Sequence, residues 1–234
     1  MNQSNSTTTA FYTLDGCVSE NLDETFQALL EVRKGNNQLW ENLASREGIH
    51  SRLREQGLEE FGERSEIPWD DATLLFTSVR MLNRDSTPIM LGENKNRERF
   101  GRFPHHTGSS LQYILDNIVS IPNQSEGLYS DLVEHLEYLT ERCSEMNTGH
   151  KEFREGKAGL IILGYITLEE VKSLRSMLLG SGWMVSREEP LDGGVRDAVR
   201  HLNALLMAAE RRSAGLIHRQ HEYSELIRCQ TFEH

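Results

Sequence analysis

The densest group of chemistry-bearing side chains lies at Lys95–His106, reading K-N-R-E-R-F-G-R-F-P-H-H. Lys95, Arg97, Arg99 and Arg102 stand against one acid, Glu98. The block therefore carries about +3 in a chain of formal charge −11. A guanidinium is a planar fork that grips a carboxylate or phosphate with two parallel hydrogen bonds. Phe100 and Phe103 flank Arg102 and offer faces on which a base or guanidinium can stack. With His105 and His106, these residues form a candidate surface for an anion, a nucleotide or an acidic partner. The competing expectation is a solvated loop whose arginines pair with the acid-rich stretch Glu59 to Asp71.

Two smaller constellations follow. Arg196-Asp-Ala-Val-Arg-His201 has an Arg-x4-His spacing with a polar residue directly after the Arg. It resembles the active motif of HEPN-type ribonucleases. That resemblance implies His201 in acid–base chemistry and Arg196 as stabiliser of phosphorane-like charge. The alternative is a pair of exposed polar residues opposite the stripe Val195, Val199 and Leu202. His218 and His221 would share a metal if they lay on a helix, where residues three apart meet on one face. On a strand the same separation puts them on opposite faces. The strand-like Gly215-Leu-Ile-His218 therefore argues against a metal pair, and no metal or cofactor is expected. No nucleophile elbow and no phosphate-binding glycine signature is present.

Composition narrows the function classes. The chain has 234 residues, 37% of them hydrophobic and 26% charged. That suffices for a real core. The acidic balance, with pI near 5.3, disfavours general coating of nucleic acid and suits a basic protein partner. Cys17, Cys143 and Cys229 are odd in number and far apart, which fits a reducing, cytoplasmic setting rather than a disulfide or zinc framework. The longest apolar runs, such as Ala204–Ala209, are far short of the roughly 18 residues that span a bilayer.

The elements that must position these residues can be read from periodicity. Residues 1–18 read as a frayed polar tail. Asn21 with Glu24 marks a helix start, and Leu22, Phe26, Leu29 and Leu30 share its inner face. A second helical pattern runs through Leu39 and Leu43, and another, after Pro68, through Leu74, Leu75, Val79 and Leu82. Residues 83–108 have no periodic pattern, and a long irregular loop inside a domain is usually functional or disordered. Ser109 or Ser110 caps a helix through Leu111, Ile114, Leu115 and Ile118. Leu128, Leu132, Leu136 and Leu139 form the inner stripe of the next helix.

The final third changes character. Gly159–Ile166 reads as a buried strand, and Thr167-Leu-Glu-Glu170 as a capping box that opens a helix. Val171, Leu174, Leu178 and Leu179 give that helix its inner face. Trp183-Met-Val185 is a short strand, Glu188-Glu189 belongs to a solvated turn, and Val195, Val199, Leu202, Leu206 and Ala209 make a further helical stripe. Tyr165-Ile-Thr-Leu-Glu-Glu-Val171, with the later Ala208-Ala209-Glu210-Arg211 and Gly215-Leu-Ile217, resembles the YfbM-like family of small bacterial proteins of unknown function. The resemblance covers about a quarter of the chain, with a shorter spacing between its two pieces, and it implies no reaction.

The expected architecture is a mostly helical α+β protein. Residues 19–150 form a helical region with the irregular basic loop at 83–108. Residues 151–234 form an α/β region with a βαβαβ-like small sheet, continuous with the preceding part or separate from it. The expected function is a non-catalytic, acidic interaction module for a protein partner, of the immunity, antitoxin or regulatory kind. The rivals are a HEPN-like ribonuclease using Arg196 and His201, and a binder of a small anion or nucleotide using the Arg97–Arg102 loop.

Overall fold

The computed structural model describes residues 11–59, 62–81, 89, 103–122, 126–147 and 161–221. The fold is α+β and mostly helical, with one three-stranded antiparallel sheet and one two-stranded sheet. The larger sheet has β5 (Gly215–His221) at its centre, flanked by β1 (Phe11–Cys17) and β3 (Ile161–Ile166). This corrects two expectations. Residues 11–17 are a core strand, not part of a frayed tail. The strands of the final third are not a βαβαβ unit, because β3 and β5 run antiparallel and β4 (Trp183–Val185) leaves them to pair with β2 (Ile118–Ser120).

Helices cover both faces of the sheet. On one face Cys17, Ile162, Tyr165 and Ile217 join a core built by α1 (Leu22–Arg33), α2 (Gln38–Ala44), α3 (Glu47–Glu55) and α4 (Asp71–Val79). On the other, Leu14, Ile166 and Leu216 join a core built by α5 (Ser110–Asn117), α6 (Glu126–Thr140), α8 (Leu168–Leu179) and α9 (Gly194–Arg211). A short α7 (Ser144–Asn147) follows α6. Each core draws on residues before and after position 150. The first and last described strands are neighbours, so chain order does not separate two halves.

A bulge between Ile162 and Gly164 shifts the β3 register, so Ile162 and Tyr165 face the same core although three residues apart. Gly164 is required there. A Cβ on it would stand 2.7 Å from the Leu139 carbonyl at the end of α6.

Local chemistry explains the helix starts. The Ser109 hydroxyl accepts from the Gln112 amide at 3.2 Å, and Asp70 accepts from the Thr73 amide at 2.6 Å. Thr167 and Glu170 form the expected capping box. Glu189 is not a solvated turn residue: it accepts from the Val195 amide at 2.5 Å and from the Tyr113 hydroxyl at 3.2 Å, and so caps α9. At the start of α1 the Asn21 side chain makes no capping bond, because a 3-10 turn, Ser19–Asn21, leads into the helix instead. Among the described residues no helix is long and apolar enough to cross a membrane.

Candidate functional site

The residues singled out by type fall in four places. Lys95, Arg97, Arg99 and Arg102 lie outside the described residues. His105 and His106 belong to a loop closed on itself, with the Phe103 amide donating to Gly108 O and the Gly108 amide to His105 O, both at 2.8 Å. Its rings dock on α5: Phe103 lies 4.5 Å and His105 5.0 Å from Tyr113, centroid to centroid. The two imidazoles stand nearly perpendicular at 3.9 Å, and His106 takes a positive φ of 38°. With Gln112, Tyr113 and Asp116 they line a cleft of about 130 Å³.

Arg196 and His201 both ride on α9, Arg196 exposed and His201 half-buried. Five residues turn a helix by about 140°, so the two side chains leave from different faces. Burial holds the His201 imidazole below its ordinary pKa. His218 is fully buried in β5; its Nδ1–H donates to Leu139 O at 2.9 Å and its ring stacks on Tyr12. His221 ends the same strand, and its side chain lies outside what the structure describes. Among the described residues no cluster of three metal-ligating side chains occurs.

The feature that residue types alone did not single out is a surface corner built by α6, α8 and the β2–β4 pair. Val119 and Met184 are register partners and face outward together. Leu128 opens α6 and lies against Gly182 in the α8–β4 turn, where a Cβ on the glycine would be 3.0 Å from Leu128 Cβ. Leu179 ends α8. These four side chains are 39%, 37%, 52% and 62% exposed respectively, where most of their neighbours are buried. Leu128 and Leu179 were expected on inner stripes. Leu128 sits at the exposed first turn of α6, and Leu179 lies about 100° round α8 from the buried Leu178.

The corner is held by a strong clasp at the far end of the same helices. Arg142, just after α6, grips Glu170 at the start of α8 with bonds of 2.6 and 3.0 Å. Its guanidinium is stacked between Tyr138, at 3.8 Å, and Tyr165, at 4.7 Å. Burial raises the Glu170 carboxyl pKa, but hydrogen bonds from Arg142 and the Thr167 amide outweigh it and hold the group below the usual range. This clasp joins the end of α6 to the start of α8, so the helices run antiparallel. Leu128 and Leu179 are thereby delivered to the same end. Trp183 Nε1–H donates to Leu178 O, and the Tyr129 hydroxyl to Ile118 O, tying the β2–β4 pair to that end.

An acidic stripe runs from the corner along α6. Asp131, Glu134, Glu137 and Glu141 are all exposed and lie within an arc of about 120°. None of the four is in an ion pair among the described residues. The nearest cations are already engaged: Arg142 with Glu170, Lys172 with Glu169, and Arg175 with Glu210. The Tyr138 hydroxyl donates to Glu134, which, with burial, raises the phenol pKa. Between α6 and α8 lies an open groove of about 510 Å³ lined by Asp131, Glu134, His135, Lys172, Ser176 and Met177.

No family model, curated protein or solved structure matches this chain. The likeness of its final third to the YfbM-like family therefore rests on the residues quoted above alone.

Proposed function

We propose that this chain is a non-catalytic interaction module that binds a basic protein partner through the α6–α8–β2–β4 corner. The observation that carries the reading is the conjunction of four exposed apolar side chains, Val119, Leu128, Leu179 and Met184, with an unpaired acidic stripe beside them. Scattered surface hydrophobes are ordinary, but an apolar patch rimmed by polar residues marks an interaction site. The rim sets the partner's sign. Four carboxylates without a cation among the described residues favour a surface rich in Lys and Arg, and the net charge of −11 speeds its encounter. A second copy of the chain is disfavoured, because an isologous pairing would bring the two acidic stripes together. Masking of a basic partner by this acidic face is the activity that follows.

The test compares wild type with two double variants, Leu128→Asp with Met184→Asp, and Glu134→Lys with Glu137→Lys, purified from the native cell. The proposal expects one basic protein in stoichiometric amount with wild type, and at least a tenfold loss in both variants. Retention of that protein by either variant overturns it, as does a wild-type chain that brings down no stoichiometric protein.

A further inference from the structure

A buried guanidinium in this fold lacks the partners that buried charges need. Two arginines make the contrast. Arg64, 1% exposed, is bonded at each terminal nitrogen: Nη1 donates to Ile67 O at 3.0 Å, and Nη2 to Trp69 O at 2.6 Å and Asp71 Oδ1 at 2.7 Å. Arg80, at the end of α4, is 7% exposed, yet among the described residues its Nε and Nη2 have no hydrogen-bond partner.

The neighbouring carboxylate covers it only in part. Asp15 Oδ2 already accepts from Arg219 Nε at 2.5 Å and from the Thr13 hydroxyl at 3.0 Å. Among the described residues Asp15 Oδ1 accepts no hydrogen bond and meets Arg80 Nη2 only as a long ion pair at 4.0 Å. Arg219 and Arg80 both stand over the Phe76 ring, at 4.9 and 5.9 Å. Among the described residues the cluster thus holds two cations and one anion. Cys17, the other nearby titratable group, is neutral, since burial pushes its thiol up to about 12. An arginine cannot escape by deprotonation, and an uncompensated buried charge is strongly destabilising.

Arg80 also lines a small cavity together with a second arginine. Arg52, half-buried on α3, donates Nη2 to Ser78 O, while its Nε is buried without a partner. Arg52, Glu55, Gln56, Arg80 and Met81 line one small cavity of about 10 Å³. That is room for a single oxygen atom. Glu55 is exposed at its rim and partly offsets Arg52, while Arg80 has only the long Asp15 contact among the described residues. Met81 is exposed, so the cavity adjoins the surface.

We infer that Arg80 and Arg52 form a phosphate-binding site, in which one phosphoryl oxygen enters between the two guanidiniums while the rest of the group sits at the rim. Arginine forks suit a tetrahedral oxyanion, and the anion supplies the charge that Asp15 cannot. The ligand is free inorganic phosphate or a small phosphate monoester. The site uses none of the residues of the α6–α8 corner, so either can fail without the other.

The test is thermal unfolding of the full chain against inorganic phosphate, a nucleoside monophosphate and chloride, each series at matched ionic strength. A ligand of the native state raises the melting temperature saturably. The expected result is a rise of about 5 °C with phosphate over chloride, and at least a tenfold weaker apparent affinity in Arg52→Gln. A monophosphate that outperforms free phosphate identifies an ester as the ligand; the reverse identifies the free anion. Arg80→Lys, which keeps the charge and loses the fork, should also lose the effect. If that variant does not fold, Arg52→Gln carries the test, with phosphorus NMR line broadening as the second readout. Equal stabilisation by chloride and phosphate, or an undiminished phosphate response in Arg52→Gln, overturns the inference.

Discussion

Val119 and Met184 face one another across the β2–β4 ladder, and both point into solvent. The next pair along, Ile118 and Val185, turns inward to the core shared by α5, α6, α8 and α9. The pleat therefore sends one pair to each side, and the outer pair is apolar where a solvated face would carry polar residues. Leu128 and Leu179 extend that face because the Arg142–Glu170 clasp fixes the antiparallel alignment of their helices. Exposure here follows from defined packing, so substitutions on this face should separate binding from stability.

Replacing Val119 or Met184 with Lys should leave the unfolding free energy within about 0.5 kcal/mol of wild type, the range for surface changes that break no buried contact. The same substitutions should weaken partner binding more than tenfold. Urea unfolding and a binding titration report the two effects separately.

Gly164→Ala should be severely destabilising, by about 3 kcal/mol, since the added methyl meets the Leu139 carbonyl inside the core. Gly127→Ala, at an exposed position in α6 with open space around it, should instead stabilise by about 0.5–1 kcal/mol through helix propensity. Opposite shifts in the urea midpoint of these two Gly→Ala variants are the expected outcome.

Glu170→Gln should lower stability near neutral pH by about 1–3 kcal/mol, because it removes the charge that pairs with Arg142 while an amide oxygen can keep the capping-box bond. The pH dependence has a definite sign. The folded-state pKa of Glu170 is held below its ordinary value. Its contribution is therefore fully present above the unfolded pKa of about 4.3. That contribution is lost as pH falls through the folded value. The gap between wild type and Glu170→Gln should close over that acidic window when unfolding is measured from pH 7 downward.

Asp71→Asn should cost about 3 kcal/mol, because it leaves Arg64 buried beside Arg33 with no carboxylate between them. Replacing Arg64 and Asp71 together by apolar residues should cost less than Asp71→Asn alone. A double-mutant cycle by urea unfolding measures that difference.

Much of the fold was legible in residue type and spacing. Ser109 and Thr167 announce α5 and α8 because a hydroxyl before an apolar period satisfies the first free amides. The α9 stripe was equally plain, and Val195, Leu202, Leu206 and Ala209 are all core residues. Strand β1 was hidden because its inner face carries Thr13 and Asp15, whose burial depends on Arg219, about two hundred residues away. No local pattern signals such a pairing. Strand partners were likewise set by tertiary contacts: Trp183–Val185 reads as a strand, but nothing in it shows that β2, rather than β3, lies alongside.

The candidate corner was illegible for a related reason. Leu128 and Leu179 continue the periodic stripes of their helices, so periodicity assigns them to the core. Leu128 is outside because it stands at the uncovered first turn of α6, and Leu179 because it lies about 100° round α8 from the buried Leu178. The strand character of Gly215–His218 was legible, and β5 runs through it. His105 packs on Tyr113 in a manner that type and spacing could not disclose.

The central claim is that the Val119–Met184 face contacts a basic protein. The most direct measurement places a photo-crosslinking amino acid at position 184 of the full chain in its native cell, with the exposed position Asn42 on α2 as control. One dominant adduct to a basic protein is expected from position 184, absent from position 42, and lost when Glu134 and Glu137 are both changed to Lys. An adduct to a second copy of the chain, or no adduct that distinguishes position 184 from position 42, would contradict it.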